Sequence, residues 1–254
     1  MEIEVLGSFG GESPDHRLTS LLIDGRIALD AGCLCSALPI ERQLGIEAVV
    51  LSHSHADHTN SLPFFIDNVF GRSDGALEIH GSAPTVYAVR KHVFNSAVWP
   101  DFSRLPNHLI PSIKFVEFSD EEPIELGSLR LLPVPVNHVV TTHGFLIEDD
   151  RSAVLWSSDT GPTDRLWEVA NRTPNLKAVC IDVSFDDSLQ DIADASGHLT
   201  PSGLAQELTK LEVDVPILLH HLKPTCVETI QQEVAALALS NVDFLEQGRV
   251  YDFG

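Results

Sequence analysis

The stretch Ser52-His53-Ser54-His55-Ala56-Asp57-His58-Thr59 lies directly behind the apolar run of residues 48–51 and decides how the chain is interpreted. It places four side chains that can bind a metal within six residues. The apolar run predicts a short buried strand. Residues 62–70 predict the start of a helix with Asn60 or Ser61 as its N-cap. The H-x-H-x-D-H motif is therefore predicted to form the loop between a strand and a helix.

The spacing of this motif suits two adjacent metal ions. In a locally extended loop, positions 53, 55 and 57 project to one side, whereas His58 is displaced by one residue and can face a second point. Imidazole and carboxylate together favour zinc, manganese or iron over the all-oxygen sites of calcium and magnesium. The alternative is a run of surface histidines, which this spacing behind a strand disfavours. We therefore expect a metal-dependent hydrolase.

Composition limits the class of protein. The 254 residues, 43% of them apolar, can build one substantial core, and no linker divides them, so residues 1–254 are predicted to form a single domain. No apolar stretch approaches the roughly eighteen residues of a membrane span, and residues 1–4 do not resemble a signal peptide. This predicts a soluble, cytoplasmic protein with no membrane partner. Four cysteines fit neither a disulfide framework nor a paired CxxC zinc site, and are predicted to be small buried residues or free thiols.

The charge limits the partners. With 16 basic and 37 acidic residues, the formal net charge is −21. This charge opposes the binding of a long nucleic acid through its phosphates. A small phosphate-bearing substrate remains compatible, because metal ions would supply positive charge locally.

Polar side chains follow four further apolar runs. Residues 27–29, 129–136, 153–156 and 215–219 lead to Asp30, His138, Asp159 and the pair His220-His221, respectively. Each run predicts a strand with a candidate ligand or acid at its end. These side chains could therefore converge along one edge of a sheet. Each of these residues taken alone is more typical of a turn. Together with the first motif, they form a set of candidate ligands for one site.

The ordered set Asp30, residues 53–58, His138, Asp159 and His221 resembles the five-motif signature of the metallo-β-lactamase superfamily, over nearly the whole chain. The resemblance implies an α/β fold, a four-layer αββα sandwich of two similar β/α halves, with a binuclear site at the edge shared by both sheets. Asp159 would bridge the two metals, and Asp30 would orient the ligand loop through hydrogen bonds. Carried over residue by residue, the remaining ligands are His53, His55 and His138 for one metal, and Asp57, His58 and His221 for the other.

Members of the superfamily with this ligand set usually hold two zinc ions, although manganese and iron also occur. Two neighbouring histidines compete for the last ligand position, and the residues alone leave both open. In related sequences an apolar residue follows the last ligand. The order His221-Leu222 fits this pattern better than His220-His221 and favours His221.

The C-terminal half resembles one branch of the superfamily. Asp182 at a predicted strand end and the later run Ser-Gly-His-Leu-Thr-Pro at residues 196–201 are similar to the branch that contains RNase Z and the class II cyclic-nucleotide phosphodiesterases. The chain shows no basic insertion of the kind expected for a tRNA-binding arm. Further similarity to the cyclic-nucleotide enzymes lies in residues 92–102, 184–187 and 221–224.

This resemblance implies hydrolysis of 3′,5′-cyclic nucleotides, cAMP or cGMP, to nucleoside 5′-monophosphates through a metal-bridging hydroxide. His198 would donate a proton or hydrogen bond to the phosphoryl or departing oxygen, and Asp182 would fix its tautomer. Asp57 joins them as a catalytic residue in addition to its place among the ligands. The family more often carries a glutamate where Asp182 stands, so the shorter acid could hold His198 differently. The alternative for His198 is a surface residue that caps the helix starting near Thr200.

Asn95 and Trp99 are the candidates for substrate binding. Trp99 and Phe102 could stack on a base, and Asn95 could contact the edge of the base or the phosphate. Core packing or a dimer contact is the alternative for each. Residues 82–111 interrupt the β/α alternation and are predicted to form a lid or a subunit contact, which leaves a homodimer open.

Three other functions remain open. The protein could act on another small phosphodiester or an RNA 3′ end, as RNase Z does. It could cleave a lactone or thioester with the same hydroxide, in which case His198 is unnecessary. It could also be a binding module that keeps the fold without catalysis, which the complete ligand set disfavours.

Overall fold

The computed structural model describes residues 1–71, 75–107 and 110–254. Its strands, in chain order, are β1 (Glu2–Gly7), β2 (Ser20–Ile23), β3 (Ile27–Leu29), β4 (Ala48–Val50), β5 (Leu77–Ser82), β6 (Pro106–Asn107), β7 (Ile110–Pro111), β8 (Ile113–Phe118), β9 (Ile124–Leu126), β10 (Leu129–Pro135), β11 (His143–Glu148), β12 (Ala153–Trp156), β13 (Leu176–Asp182), β14 (Ile217–His220), β15 (Val242–Phe244) and β16 (Val250–Asp252). Its α-helices are α1 (Leu34–Ala37), α2 (Ile40–Gln43), α3 (Ala56–Thr59), α4 (Leu62–Val69), α5 (Ala83–His92), α6 (Arg165–Arg172), α7 (Gln190–Ser196), α8 (Pro201–Glu207) and α9 (Val227–Ala236). Short 3-10 turns lie at Phe102–Arg104, Asp187–Leu189 and Leu208–Lys210. Two residues of the predicted irregular stretch, 108 and 109, lie outside the described residues.

Within the described residues, the strands form two seven-stranded sheets and one small hairpin of β6 and β7. The sheet orders are β16-β1-β2-β3-β4-β5-β8 and β15-β14-β13-β12-β11-β10-β9. Each sheet combines antiparallel pairs at one end with three successive parallel pairs at the other. The repeated pattern of strand directions confirms that the protein is built from two similar halves.

Three apolar clusters define the layers. Side chains of a strand alternate between its two faces, and Leu21 and Trp156 point into the cluster between the sheets. Their neighbours point outward, Leu22 toward Phe65 of α4 on one side and Leu155 toward the helices of the other half. Strands buried on both faces explain the continuous apolar runs in the sequence. The order of layers is therefore helix, sheet, sheet, helix, which confirms the predicted αββα sandwich.

The metal motif departs from the prediction in one respect. The strand before it and α4 after it form as predicted, with Ser61 at the N-cap of α4. The prediction of an extended loop through Asp57 was wrong, because Asp57 and His58 lie in the short helix α3. The chain is extended only as far as His55, whose carbonyl accepts a hydrogen bond from Thr59 Oγ1 at 3.0 Å and so closes the turn. Asp57 and His58 therefore do not alternate between two sides as in an extended chain. As neighbours in a helical turn, their side chains point in different directions around the helix axis.

In the part of the chain that the structure describes, no helix is long and apolar enough to cross a membrane. The single-domain organisation of residues 1–254 stays a prediction, as does a homodimer. One cooperative unfolding transition, observed by two spectroscopic probes, would check the single domain.

The cysteines are free thiols, as predicted, and three of the four are buried. Burial raises the pKa of Cys33 and Cys35 to about 11 and that of Cys180 to about 12. With such a pKa, about one thousandth or less of each thiol is thiolate at pH 8, and the thiolate is the reactive form. We therefore expect a thiol reagent to label these cysteines of the native protein about a hundredfold more slowly than those of the protein in urea. Rapid labelling of Cys33, Cys35 or Cys180 in the native protein, measured by mass spectrometry, would contradict this.

Candidate metal centre and active site

Strands of both sheets end at one edge of the molecule, and the polar residues that follow these strands lie there. In the first sheet, β3 and β4 are parallel and lead to Asp30 and His53. In the second, β10 and β12 both pair antiparallel with β11 and so run in the same direction, leading to His138 and Asp159. The β14 strand is connected to β12 through parallel pairs with β13 and leads to His221. The direction of the strands is therefore what brings these side chains together.

The structure groups the seven predicted ligands into two clusters that share Asp159. The ligand atoms within each cluster lie within 4.8 Å of one another. The clusters are His53, His55, His138 and Asp159, and Asp57, His58, Asp159 and His221. These are the two groups that the sequence assigned to two metals. That they bind metals stays a prediction at this point.

Asp159 lies between the two clusters and is 1% exposed. Its Oδ1 is 3.1 Å from His58 Nε2 and 3.2 Å from His221 Nε2. Its Oδ2 is 3.6 Å from His53 Nε2 and 3.9 Å from His138 Nε2. Each carboxylate oxygen thus faces the imidazoles of a different cluster, which is the arrangement that a bridging carboxylate requires.

The other two predicted ligands complete the clusters. His55 Nδ1 lies 3.2 Å from His138 Nε2. Asp57 Oδ2 lies 3.3 Å from His221 Nε2. Each cluster therefore presents its nitrogen and oxygen atoms to a common point.

Hydrogen bonds on the far side of the imidazole rings orient the histidines. Because a carboxylate and a carbonyl only accept, the Nδ1 atoms of His58 and His138 each carry a proton and their Nε2 atoms face the clusters. The four Nδ1 contacts are His58 to Asp30 Oδ2 at 2.8 Å, His138 to the Gly197 carbonyl at 2.9 Å, His221 to Ser184 Oγ at 2.9 Å and His53 to Ser52 Oγ at 3.0 Å.

Asp30 orients the ligand loop in the way that the resemblance implies. Its Oδ1 accepts a hydrogen bond from the Ser52 backbone N and its Oδ2 accepts one from Ser52 Oγ, both at 2.8 Å. Ser52 in turn contacts His53, so one buried carboxylate fixes both the backbone and a ring of the motif. The sequence assigned no role to Ser52, although its place directly before the first histidine was a usable signal.

The choice between His220 and His221 is clear in the structure. His220 is the last residue of β14, and its ring stacks on Trp156 with centroids 3.8 Å apart. His221 leaves the strand with φ of 67°, a left-handed conformation that is rare for a residue with a side chain. This turn directs His221 into the cluster, in agreement with the predicted assignment.

Burial and neighbouring charges set the protonation of the clusters. Burial lowers the pKa of His53, His55 and His138 below the ordinary value for histidine. These rings are therefore neutral, and each keeps a free lone pair. Burial acts in the same direction on His58, but the carboxylates of Asp159 and Asp30 outweigh it and raise its pKa well above the usual range. These two carboxylates therefore favour a positive charge at His58, which is a second proton on the ring when no metal is bound.

The side chains that are present fit a pair of divalent metal ions. His53 Nε2 is buried without a hydrogen-bond partner among the described residues. Leaving such an atom unpaired costs about 1–3 kcal/mol, which a ligated metal would remove. Imidazole nitrogens combined with carboxylate oxygens are the donors that zinc, manganese and iron accept. The clusters are therefore a candidate binuclear metal centre.

Asp182 and His198 form a hydrogen-bonded pair beside this centre. Asp182 Oδ2 accepts from His198 Nδ1 at 2.7 Å, so the shorter acid still reaches the ring. The His198 ring lies 5.0 Å from that of His138 and 5.2 Å from that of His221, measured between centroids. Burial acts to lower the pKa of His198, but the Asp182 carboxylate outweighs it and raises the pKa above its ordinary value. The pair therefore lies against both metal clusters.

The alternative role of His198 as a surface helix cap is wrong. His198 is buried, and the N-cap of α8 is Thr200, whose Oγ1 accepts a hydrogen bond from the Gly203 N at 3.2 Å. With its Nδ1 directed at Asp182, His198 has Nε2 left for a substrate.

Ser184 connects this pair to the metal centre, and the sequence assigned it no role. Its Oγ lies 3.0 Å from Asp182 Oδ1, 3.1 Å from His198 Nδ1 and 2.9 Å from His221 Nδ1. A single hydroxyl thus contacts both the catalytic candidates and a ligand candidate. A serine two residues after a strand end carries no pattern that would reveal these contacts.

Asn95, a predicted substrate-binding residue, forms side-chain hydrogen bonds with the backbone of neighbouring residues. Its Oδ1 accepts from the backbone N of Ala97 at 2.9 Å and of Val98 at 2.8 Å, and its Nδ2 donates to the Lys91 carbonyl at 3.0 Å. It lines a surface pocket of about 480 Å³, and none of the described residues around this pocket is a predicted metal ligand. The structure therefore favours a turn-stabilising role, and substrate binding by Asn95 stays a prediction.

Trp99 and Phe102 were predicted to stack on a base. Phe102 is only 3% exposed and packs in the first core cluster, so its stacking on a ligand is wrong. Trp99 is half-buried and meets Phe64 edge-on, with ring centroids 4.9 Å apart. Packing is thus the observed role of Trp99, and its contact with a substrate stays a prediction.

Gly10 packs directly on His221. A Cβ added to Gly10 would lie 2.5 Å from His221 Cε1 and 2.6 Å from its Nδ1. The ring is also fixed through its backbone, since His221 N donates to the Ser8 carbonyl at 2.6 Å. We expect Gly10→Ala to displace the loop or the ring and to lower the free energy of unfolding by about 1–3 kcal/mol, measured by urea denaturation.

A matched variant controls for the loss of glycine flexibility. A Cβ on Gly45 would make only an ordinary contact, 3.4 Å from the Arg42 carbonyl. Gly45→Ala should therefore change the free energy of unfolding by less than about 0.5 kcal/mol. Equal stability of the two variants would contradict the close approach at His221.

A family model described as a beta-lactamase superfamily domain matches residues 21–221. The chain belongs to the beta-lactamase superfamily. Membership confirms the resemblance identified from the sequence and supports a hydrolase with divalent metal ions.

Some relatives of this superfamily protein are named as enzymes of one branch of the superfamily. It is 29% identical to a probable 3′,5′-cyclic-nucleotide phosphodiesterase of Yersinia pestis, over 97% of this chain and 84% of the relative. It is 26% identical to a 3′,5′-cyclic-nucleotide phosphodiesterase of Aliivibrio fischeri, over 86% of this chain and 80% of the relative. The crystal structure of unliganded yeast PDE1 superposes with a TM-score of 0.81 at 19% identity, covering 98% of each chain, which shows a shared fold.

Proposed function

We propose that this superfamily protein is a metal-dependent phosphodiesterase that hydrolyses 3′,5′-cyclic nucleotides, cAMP or cGMP, to nucleoside 5′-monophosphates. The observation that carries the proposal is the position of His198, which lies against both metal clusters with its Nδ1 bound to Asp182. Such a pair provides a proton donor for the strongly basic ribose 3′ oxygen that departs when a cyclic phosphodiester is opened. The two bacterial relatives named as cyclic-nucleotide phosphodiesterases support the same assignment.

The centre would hold two divalent ions, with zinc as the first choice for this donor set and manganese or iron as alternatives. When bound, the ions supply Lewis acidity, which acidifies water and neutralises the phosphoryl oxygens. The residues proposed to hold them are His53, His55, Asp57, His58, His138, Asp159 and His221.

Asp182 and His198 are proposed to handle the departing oxygen. Asp182 accepts the Nδ1 proton of His198, so the second proton of the imidazolium is at Nε2, on the side left for the substrate. As a hydroxide oxygen forms a bond to phosphorus and the bond between phosphorus and the 3′ oxygen breaks, His198 Nε2 gives its proton to the 3′ oxygen, which leaves as the ribose 3′-hydroxyl. Asp182 stabilises the charged ring before the transfer.

The charge of the protein is consistent with a small substrate. A net charge of −21 opposes a long polyanion but affects a compact cyclic nucleotide far less, because the metal centre would face its single phosphate. We therefore propose a small phosphodiester as the partner and exclude long nucleic acid from the proposal.

Incubation of the zinc- or manganese-loaded protein with 3′,5′-cyclic AMP and cyclic GMP, followed by chromatography, tests the proposal. Metal-dependent formation of the 5′-monophosphate is expected. Formation of the 3′-monophosphate would contradict the role of His198. Turnover of a lactone or thioester but of no phosphodiester would assign acyl hydrolysis instead.

A further inference from the structure

Lys223 brings a positive charge to the edge of the metal centre. Its Nζ lies 3.8 Å from Asp57 Oδ2. Among the described lysines and arginines, it alone forms an ion pair with one of the seven predicted ligands. A cation at this position is notable in a protein with 37 acidic and 16 basic residues.

The ammonium group of Lys223 is held in place. Its Nζ donates a hydrogen bond to the Gly10 carbonyl at 2.6 Å and lies 6.0 Å from the centre of the Phe185 ring. Its backbone N donates to the Ser184 carbonyl at 3.0 Å. A free lysine side chain would lose about 1.5–2 kcal/mol of rotamer entropy on binding a ligand, and a side chain that is already fixed avoids much of this loss.

Part of the donor capacity of Lys223 is unused. An ammonium group has three N–H donors. The Gly10 carbonyl takes one, and Asp57 at 3.8 Å lies beyond hydrogen-bonding distance. The side chain is also 25% exposed, so a ligand has access to it from solvent.

We propose that Lys223 binds an anionic oxygen of the substrate phosphate. The inference rests on the proposed function, because a phosphodiester carries the negative charge that an ammonium recognises. Lys223 lies beside Asp57, which belongs to one candidate metal cluster, and its backbone N is bound to Ser184, whose Oγ contacts His198, the proposed proton donor. Lys223 also offsets the repulsion that Asp57 would exert on an anion.

Two substrates that differ in charge test this role. Lys223→Met removes the charge and keeps an unbranched side chain, whereas Lys223→Arg keeps the charge. For the anion bis(p-nitrophenyl) phosphate, we expect Lys223→Met to raise KM about tenfold or more and to change kcat much less. Lys223→Arg should recover most of this loss. For neutral p-nitrophenyl acetate, no change is expected.

The control variant is Lys177→Met, an exposed lysine near the start of β13, at the opposite end from Asp182. It should leave both substrates unaffected. Lys223→Gln, which keeps a donor for the Gly10 carbonyl, is measured in parallel so that a folding defect of Lys223→Met does not decide the result. Metal content of each variant is determined by mass spectrometry.

Calorimetric binding of inorganic phosphate to the metal-loaded protein separates this inference from the proposed function. Binding about tenfold weaker in Lys223→Met and Lys223→Gln supports the phosphate contact even if cyclic nucleotides are not hydrolysed, in which case only the proposed function fails. Unchanged phosphate binding overturns the inference. Equal losses on both substrates together with loss of metal also overturn it, because Lys223 would then act by stabilising Asp57.

Discussion

Asp159→Ala is expected to lower phosphodiester turnover by roughly a thousandfold or more and to reduce the metal content below two ions per chain. Asp159 faces His58 and His221 through one oxygen and His53 through the other, at distances of 3.1, 3.2 and 3.6 Å. Its removal deletes a negative charge from both clusters at once. No other described carboxylate belongs to both predicted ligand sets, so none can replace it.

The measurement is metal content by mass spectrometry together with turnover of cyclic AMP. Asp164→Ala is a matched control, because Asp164 lies five positions away and its side chain is 83% exposed. The control should retain two metals and full turnover. Two tightly bound metals in Asp159→Ala would contradict the bridging role, and full turnover in that variant would remove Asp159 from the reaction.

The convergence of the site residues could be predicted because each follows an apolar run. An apolar run predicts a strand, and the family resemblance indicates at which edge of the sheets that strand ends. Asp30, His138 and Asp159 each follow such a run, and the structure places all three at the same edge.

Strand boundaries were less predictable than strand existence. The run at residues 215–219 predicts a strand, but β14 begins only at Ile217. Pro216 has no N–H to donate to a neighbouring strand, which explains the later start. At the other end β14 includes His220, because this residue pairs with Asp182 of β13, and its ring is buried against Trp156.

The supporting contacts could not be predicted from sequence. Ser184 meets His221 across 37 positions, and Gly10 packs on the same ring from the N-terminal part of the chain. Neither contact leaves a periodic pattern, because it depends on how distant loops meet after folding. For Asn95 the chemistry of the side chain suggested a ligand contact, but its amide group is hydrogen-bonded to the backbone of the adjacent turn.

His198→Ala is expected to lower kcat for cyclic AMP by about 10²- to 10³-fold while the metal content stays unchanged. The ring lies beside both clusters, but it belongs to neither of the two predicted ligand sets. Asp182→Asn should cause a smaller loss, since the amide can still meet the ring but no longer stabilises its charge. His92→Ala, at the exposed end of α5, is the matched control and should behave as the wild type.

The leaving group distinguishes proton donation from simple binding. The ribose 3′ oxygen is a strong base and needs a proton as it departs, whereas p-nitrophenolate is a weak base and leaves without one. His198→Ala should therefore lose much less activity on bis(p-nitrophenyl) phosphate than on cyclic AMP. Equal losses on the two substrates would mean that His198 binds the phosphoryl oxygen instead of protonating the leaving group, and no loss on either would exclude it from the mechanism.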